Sequence, residues 1–325
     1  MLMNHDLALW LADPLAQRRS RQAMEDSAGA VARLPAFAAL ASGLAAAERE
    51  GADAVLALAR ALLDDEAAVR ACLDLLITTA ARDPFFRPPL RAVNGQVQSG
   101  LVLFHRPALT VQLVAMSADG IAEKRFRRGA GPASIFFTGQ RSVFRFLDAG
   151  GATLSLWEVP EIDARFAAEG SGRCRLVGRR ALADGDRIEV DGRRHAFLVE
   201  EAPRDLVYVQ ATTPLGAGPV TAEYDWATRR LVGTSSTDDA SSRIQLMLTL
   251  LRASGRRDAA PLFAELAASG PFHARWQAMR EFLGLDAEAA LPSLRAMAAA
   301  DPHPEVRSAA AETLGALLEP QEGFA

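Results

Sequence analysis

The stretch LPSLRAMAAADPHPEVRSAAAETLG, residues 291–315, determines how the last third of the chain folds. Asp301 and Pro302 end one predicted helix and Pro304 begins the next, because proline fits the first turn of a helix but not its interior. The pattern also occurs 32 residues earlier in the chain. The corresponding positions are Leu262 and Leu294, Arg275 and Arg307, Ala278 and Ala310, and Phe282 and Leu314. One such hairpin cannot bury its apolar face alone, so the sequence predicts two hairpins that stack on each other.

This repeated unit resembles the HEAT repeat over residues 258–318. The resemblance implies a stack of helical hairpins that binds another macromolecule, and it implies nothing about chemistry. We therefore expect a protein partner on the repeats, with Arg275 and Arg307 among its contacts. Trp276 either contacts that partner or packs against the preceding domain. The residues predicted to be buried between the hairpins are Leu262, Leu266, Met279, Phe282, Leu294, Met297, Val306, Ala310 and Leu314.

The hydrophobic period changes twice before these repeats. Residues 1–92 have apolar positions at helical spacing. Within them, residues 64–70 match residues 301–307 at the first and the last two positions, which leaves a further, degenerate repeat open. Residues 93–235 instead have a period of two and Gly or Asp turns, which predicts short antiparallel strands. The helical period returns after Thr237-Asp238-Asp239, a sequence typical of a helix N-cap.

The predicted fold is therefore α+β and multidomain. Helices occupy residues 1–92, an antiparallel β-barrel or sandwich occupies residues 93–235, and helical repeats occupy residues 236–325. The alternation in the strands predicts which side chains point into the β domain. These are Phe136, Phe144, Phe146, Leu154, Leu156, Ile188 and Phe197.

The segment GDRIEVDGRRHAF, residues 185–197, is the clearest local motif of the β region. It resembles the second motif of the cupin family, in which Gly-Asp begins a strand and a tight turn presents an inward-facing histidine. The resemblance implies a small β-barrel with His195 at the position of a metal ligand. A neutral imidazole inside such a barrel is a good ligand for a divalent metal.

The first cupin motif, which contributes further histidines, has no counterpart here. Residues 156–163 contain carboxylates but no histidine. A metal site would combine His195 and His105 with one carboxylate from Glu158, Glu161 or Asp163. Without a metal, the barrel keeps a single polar histidine and either binds a small ligand or is purely structural. We predict no cofactor, with a divalent metal as the alternative.

Arginines flank the cupin-like turn. Arg179, Arg180, Arg193 and Arg194 either line the barrel mouth, where with His195 they would bind a small anionic or phosphorylated ligand, or solvate edge strands. A second basic cluster, residues 123–129, is predicted to be a loop. It either contacts an anion or nucleic acid or is a solvated hairpin.

Composition narrows the choice of partners. The 36 basic and 40 acidic residues give a net charge of −4, which disfavours nucleic acid. No window supplies the ~20 uninterrupted apolar residues of a membrane span, and the N-terminus lacks the features of a signal peptide. Two distant cysteines, Cys72 and Cys174, are typical of reduced, buried thiols. We therefore expect a cytoplasmic protein without a membrane partner.

Three functions remain open from the sequence. The leading hypothesis is a non-catalytic interaction or scaffold protein, with a degenerate cupin-like barrel for a ligand and helical repeats for a protein partner. The alternative is a cupin-type mononuclear metalloenzyme, an oxygenase or isomerase that uses Fe, Mn or Zn at His195. The third is a regulatory adaptor that responds to a nucleotide or nucleic acid.

Overall fold

The N-terminal region of the chain is helical in the structure, a computed structural model that describes residues 5–127 and 134–318. Asp13 and Asp65 begin the second and fifth helices, because their carboxylates accept hydrogen bonds from free N–H groups of the first turn. The helices are α1 His5–Ala12, α2 Pro14–Arg33, α3 Pro35–Glu50, α4 Ala52–Asp64 and α5 Glu66–Arg82.

The central region is antiparallel β-structure with one inserted helix, α6 Ala118–Arg127. The strands before and after this helix are β1 Ala92–Asn94, β2 Gln98–Arg106, β3 Leu109–Met116, β4 Ser134–Phe137, β5 Arg141–Asp148 and β6 Thr153–Glu158. The remaining strands are β7 Arg175–Ala181, β8 Arg187–Asp191, β9 His195–Glu201, β10 Leu206–Thr213, β11 Val220–Asp225 and β12 Leu231–Ser236. The basic cluster at residues 123–129 was predicted to be a loop, but residues 123–127 form the end of α6. The last two residues of the cluster lie outside the described residues.

The strands form one six-stranded sheet, in the order β1-β2-β3-β10-β5-β8, and two three-stranded sheets, β7-β6-β9 and β12-β11-β4. We call the first the large sheet. One of its faces carries Val209 and Ala211, which pack with the N-terminal helices. Its other face carries Phe144 and Tyr208, which pack against Phe197 of β9 inside the barrel. The predicted α+β architecture is confirmed.

Ion pairs reinforce the contact between α4 and the large sheet. Arg60 of α4 forms a two-pronged pair with Glu189 of β8, at 2.8 Å for both oxygens. Asp64, at the end of α4, accepts from Arg187 at 2.9 Å. Since α4 also packs apolar residues on the sheet, the N-terminal helices are fixed to the barrel by both kinds of contact.

The C-terminal region is a stack of helices, as predicted. Asp238 caps its first helix through the N–H groups of Ala240 and Ser241. The helices are α7 Asp239–Ala253, α8 Ala260–Ala268, α9 Phe272–Leu285, α10 Ala287–Ala300 and α11 Pro304–Leu318. Changes between helix and strand fall between Arg82 and Ala92 and between Ser236 and Asp239.

Most of the predicted repeat core is buried, and one position is wrong. Leu262 is exposed, and its neighbour Phe263 fills the core instead. The short helix α8 is thus rotated by one residue relative to α10, where Leu294 is fully buried. Leu266 and Leu314 are half-buried. The residues buried as predicted are Met279, Phe282, Leu294, Met297, Val306 and Ala310.

Of the side chains predicted to point into the β domain, one was assigned wrongly. Phe136 is exposed, because Ile135 and Phe137 on either side of it are fully buried on the opposite face of β4. Leu156 and Phe197 are half-buried. Phe144, Phe146, Leu154 and Ile188 are buried, as predicted.

Within residues 5–127 and 134–318, no single helix has the length and apolar character to cross a membrane. Only the pair α2 and α3, bent by 69° at its break, meets that criterion on length and composition.

Candidate functional site

Aromatic rings close one end of the space between the large sheet and the sheet of β6, β7 and β9. Phe144 meets Phe197 edge to face at 4.8 Å between ring centroids. Tyr208 lies 5.5 Å from Phe146 and 5.8 Å from Phe144. Burial raises the pKa of Tyr208 to about 12, so its hydroxyl keeps its proton at neutral pH. We call these four rings the aromatic floor.

A row of hydrogen-bonded polar side chains crosses the large sheet beside this floor. Gln112 Nε2 donates to Gln210 Oε1 at 2.9 Å, and Gln210 Nε2 donates to Thr212 Oγ1 at 2.9 Å. The hydroxyls of Thr212 and Ser142 lie 2.8 Å apart. Because alternate residues share a face, Gln210 and Thr212 lie on the same face as Tyr208. We call Gln112, Gln210, Thr212 and Ser142 the polar row.

The polar row lies toward the open end of the barrel. Thr212 and Ser142 are paired in register, one step beyond Gln210 and Phe144. On the facing sheet, the next inward positions beyond Leu156 and Phe197 belong to Glu158 and His195, which are also paired. A turn of three residues, 192–194, joins β8 to β9 and so places His195 at the end of the barrel where Ser142 lies. Gln112, Gln210, Thr212 and Leu156 are half-buried, which indicates that this end is open.

The polar row leaves hydrogen-bonding groups free for a ligand. Within the described residues, the carbonyl oxygen and one N–H of Gln112, and one N–H of Gln210, have no protein partner. The row carries donors and acceptors but no formal charge. The open end therefore combines an apolar, ring-lined base with neutral polar groups along one wall.

The sequence reasoning missed this row, although a signal was there. Gln112 interrupts the apolar strand ALTVQLVAM, and Gln210 interrupts LVYVQATT, both at positions that alternation assigns to the inside. Polar residues at inward positions of two strands that pair with each other mark a polar site. The pairing of β3 with β10, nearly a hundred residues apart in the chain, is visible only in the structure.

The four predicted anion-binding arginines are bound by carboxylates. Arg193 donates to both oxygens of Asp191 at 2.9 and 2.7 Å and also lies 3.2 Å from Glu161. The hydrogen bond from Arg193 holds the pKa of Asp191 below its usual value. The other three pairs are Arg194 with Glu161, Arg179 with Glu200, and Arg180 with Asp186. An anionic ligand would have to displace these carboxylates, so their role in ligand binding stays a prediction.

The predicted metal donors are not brought together in the structure. His195 was expected inside the barrel, but it is exposed, because β9 begins at His195 and the packed part of the strand begins one residue later. His105 lies at the rim of the large sheet, with its Nδ1 3.0 Å from Thr110 Oγ1. Glu158 accepts from Arg175, Glu161 is held by Arg193 and Arg194, and Asp163 accepts from the N–H of Arg165. Across the described part of the chain, no three such donors are placed to hold an ion.

The predicted partner contacts of the repeats differ in how much surface they expose. Arg275 is buried, where it donates to both oxygens of Asp301 at 2.8 and 2.6 Å, so it is not a surface contact. Arg307 is half-buried and donates to the backbone oxygen of Asp301. Trp276 is half-buried and packs in the core of the helical stack. Of the three, only Arg307 and Trp276 keep surface for a partner.

Comparison with known proteins finds one family model that matches part of the chain. The HEAT repeat family model matches residues 290–320. No curated protein matches the chain in sequence. Solved structures that are similar to this chain include a sugar phosphate isomerase of the cupin superfamily from Silicibacter pomeroyi, with 11% identity and a TM-score of 0.24, over 46% of this chain and 90% of that chain.

Two further solved structures are similar over 38% of this chain. Ectoine synthase from P. lautus has 9% identity and a TM-score of 0.23, over 68% of its own length. KdgF from Halomonas sp. has 16% identity and a TM-score of 0.23, over 87% of its own length. At these scores the likenesses carry no inference about what the barrel binds.

Proposed function

We propose that the chain is a ligand-binding interaction protein, in which the barrel binds a small uncharged molecule and the helical repeats bind a protein. The observation that carries the first part is the polar row beside the aromatic floor at the open end of the barrel. The site offers hydrogen bonds and ring faces together. Small-molecule sites in proteins are mostly apolar and contain a few polar groups that set the orientation and specificity of the ligand. The open end of the barrel has this composition.

The charge of the site favours a neutral ligand. An ionised group taken into a half-buried site needs a counter-charge, and the polar row provides none. The nearby arginines are already neutralised by their carboxylates. A molecule with several hydroxyl or amide groups and one flat apolar face, such as a neutral sugar or a nucleoside, matches both the row and the rings.

Isothermal titration with neutral sugars and nucleosides, alongside their phosphorylated forms, tests this proposal. We expect a neutral compound to bind, and Gln210→Leu to weaken it about 5- to 30-fold, the effect of losing one or two hydrogen bonds of ~1 kcal/mol each. Gln22→Leu, on the exposed face of α2, is the matched control and should bind as the wild type does. Tighter binding of the phosphorylated form, with loss in Arg193→Ala, would instead support the anionic ligand.

The proposal that the helical repeats bind a protein is supported by the helical stack and by a groove in it. The groove has a volume of about 290 Å³ and lies between α8, α9 and α10, with alanine walls and the Arg275–Asp301 pair among its lining residues. Ala296→Trp should fill the groove. In a cross-linking experiment with an extract of the source cells, this variant should therefore no longer capture the protein partner. Ala299→Trp, on the exposed side of the same helix, should not. Capture that survives Ala296→Trp would place the partner elsewhere.

A further inference from the structure

A pocket in the N-terminal region lies apart from the polar row and the aromatic floor. It has a volume of about 510 Å³ and is enclosed by α1, by the first half of α2, and by the end of α5 with the turn that follows it. Its described lining residues all belong to this helical region. Sites for small molecules in proteins typically have volumes of ~300–1,000 Å³. The pocket is therefore large enough for a small metabolite.

Two aromatic rings form the apolar wall of this pocket. The rings of Trp10 and Phe85 stack with 5.1 Å between their centroids and an angle of 25° between their planes. Trp10 Nε1 donates to Oγ of the buried Ser20 at 3.1 Å, which fixes the orientation of the indole. Both rings are half-buried and line the pocket. An apolar group of a ligand that covers these rings is stabilised, because the ring surface is then removed from water.

Arg82 and Asp83, at the end of α5, give the pocket charges of both signs. They are consecutive in the chain and both line the pocket. Among the residues that the structure describes, the guanidinium of Arg82 has no hydrogen bond or ion pair, not even with Asp83. Oδ1 of Asp83 accepts from the N–H of Phe85 at 2.9 Å, and its Oδ2 has no partner in the described ranges. A cation and a carboxylate oxygen from neighbouring residues are thus both available to a ligand.

The other charged groups that line the pocket are already engaged. Oδ1 of Asp13 caps α2 by accepting from two N–H groups of its first turn, and Oδ2 of Asp13 lies 3.8 Å from Arg19. Asp6 also lines the pocket and takes part in a further interaction. The charges that remain for a ligand are therefore those of Arg82 and Asp83.

We propose that this pocket binds a free α-amino acid with a large apolar side chain. Its carboxylate pairs with Arg82 and its ammonium group with Asp83, while its side chain covers the rings of Trp10 and Phe85. The two charges of an α-amino acid are carried on one carbon atom, and consecutive residues have Cα atoms only about 3.8 Å apart, so the charges of ligand and pocket are similarly spaced. A ligand with one charge would leave either Arg82 or Asp83 unmatched. This inference does not depend on the proposed ligand of the barrel.

Isothermal titration of the full chain with L-leucine, L-methionine, L-phenylalanine and L-tryptophan tests this site. We expect at least one of them to bind, and Arg82→Gln to weaken its binding about 10-fold, the effect of losing a hydrogen bond between charged groups. Trp10→Ala should weaken it as well, because the apolar wall is lost. Arg87→Gln, an exposed position outside the pocket lining, is the matched control and should bind as the wild type does. Circular dichroism measures whether each variant is folded.

Analogues that lack one charge test the role of each charged residue. The amide of the bound amino acid lacks the carboxylate, so it should bind about 10-fold more weakly than the amino acid and equally well to the wild type and to Arg82→Gln. The N-acetyl derivative lacks the ammonium group, and it should not distinguish the wild type from Asp83→Asn. If none of the four amino acids binds at millimolar concentration, the proposal is wrong. Equal binding of the amino acid and both analogues to the wild type, or binding that Arg82→Gln leaves unchanged, would also overturn it.

Discussion

Arg275 and Asp301 form a buried ion pair at the centre of the helical stack. Their side chains are 10% and 4% exposed. Arg275 also donates to the backbone oxygen of Gly270, and Asp301 accepts from the N–H of His303. Burial alone would raise the pKa of Asp301, but the hydrogen bonds from Arg275 and His303 and the charge of Arg275 outweigh it and lower that pKa. The pair thus stays ionised and ties α9 to the turn before α11.

Removing one member of this pair should leave a buried, uncompensated charge. Arg275→Ala is expected to lower the free energy of unfolding by about 3–5 kcal/mol in urea melts. Since the folded pKa of Asp301 lies below its unfolded value of 3.8, the pair contributes stability above that pH and loses it as the pH falls further. The difference between wild type and variant should therefore shrink in acid. Arg256→Ala, which breaks an exposed pair, should have no measurable effect, and a loss below ~1 kcal/mol for Arg275→Ala would contradict the structural role.

Residue patterns alone could not distinguish this buried arginine from a surface one. Arg275 and Arg307 occupy equivalent places in the two hairpins. Among the residues that the structure describes, however, Arg275 reaches a carboxylate, that of Asp301, 26 residues away, and Arg307 reaches only a backbone oxygen. In the same way Leu262 and Leu294 are equivalent in sequence, while the structure buries Phe263 in place of Leu262. Spacing predicts that a position repeats, but the packing of each helix decides its rotation.

At the scale of elements, periodicity predicted the order of helical, β and helical regions because it reflects local geometry, although it missed helix α6. The cap at Asp238 is a local interaction and was found for the same reason. Alternation also assigns residues to two faces of a strand, but it does not say which face meets the other sheet. Phe136 was therefore assigned to the interior, although it lies on the exposed face of β4. His195 does occupy an inward position, but it is the first residue of β9 and is exposed at the open end of the barrel.

The turn between β5 and β6 offers a test of how close two elements approach. Gly150 and Gly151 both have positive φ, of 60° and 70°. A Cβ on Gly150 would lie 2.4 Å from the backbone oxygen of Arg204, whereas a Cβ on Gly151 would meet only Pro203 at an ordinary 3.5 Å. The chain before β10 thus packs directly on Gly150.

The two glycines should differ in their tolerance of alanine. Gly151→Ala should cost about 1 kcal/mol, the strain of a left-handed alanine. Gly150→Ala should cost about 1–3 kcal/mol more, since backbone must move to relieve the overlap. Thermal and urea unfolding of both variants measures this difference. Equal losses would mean that the approach of residue 204 to the turn is looser than the structure shows.

At the scale of the whole molecule, two histidines connect the helical stack to the β domain. His303 is buried, stacks on Phe272 at 4.0 Å, and lies 3.1 Å from the backbone oxygen of Phe166 through Nε2. His273 lies 3.2 Å from Ser236 Oγ of β12 through its own Nε2. The Nδ1 atoms of both rings are buried and have no hydrogen-bond partner in the part of the chain that the structure describes. The His273 contact therefore favours a neutral imidazole.

Protonation of His273 in acid should lower the free energy of unfolding. Burial lowers the pKa of His273 from 6.5, with Asp238 acting against this shift and Arg275 adding to it. The unfolded chain then binds a proton at a higher pH than the folded chain does, so stability is complete above pH 6.5 and falls as the pH decreases toward the folded value. Urea melts at a series of pH values should show this loss in the wild type, and His273→Asn should make the profile flatter in that window. His5→Asn, at an exposed position of α1, is the control and should keep the wild-type dependence of unfolding free energy on pH. If the His273→Asn profile is as steep as that of the wild type, another group causes the acid sensitivity.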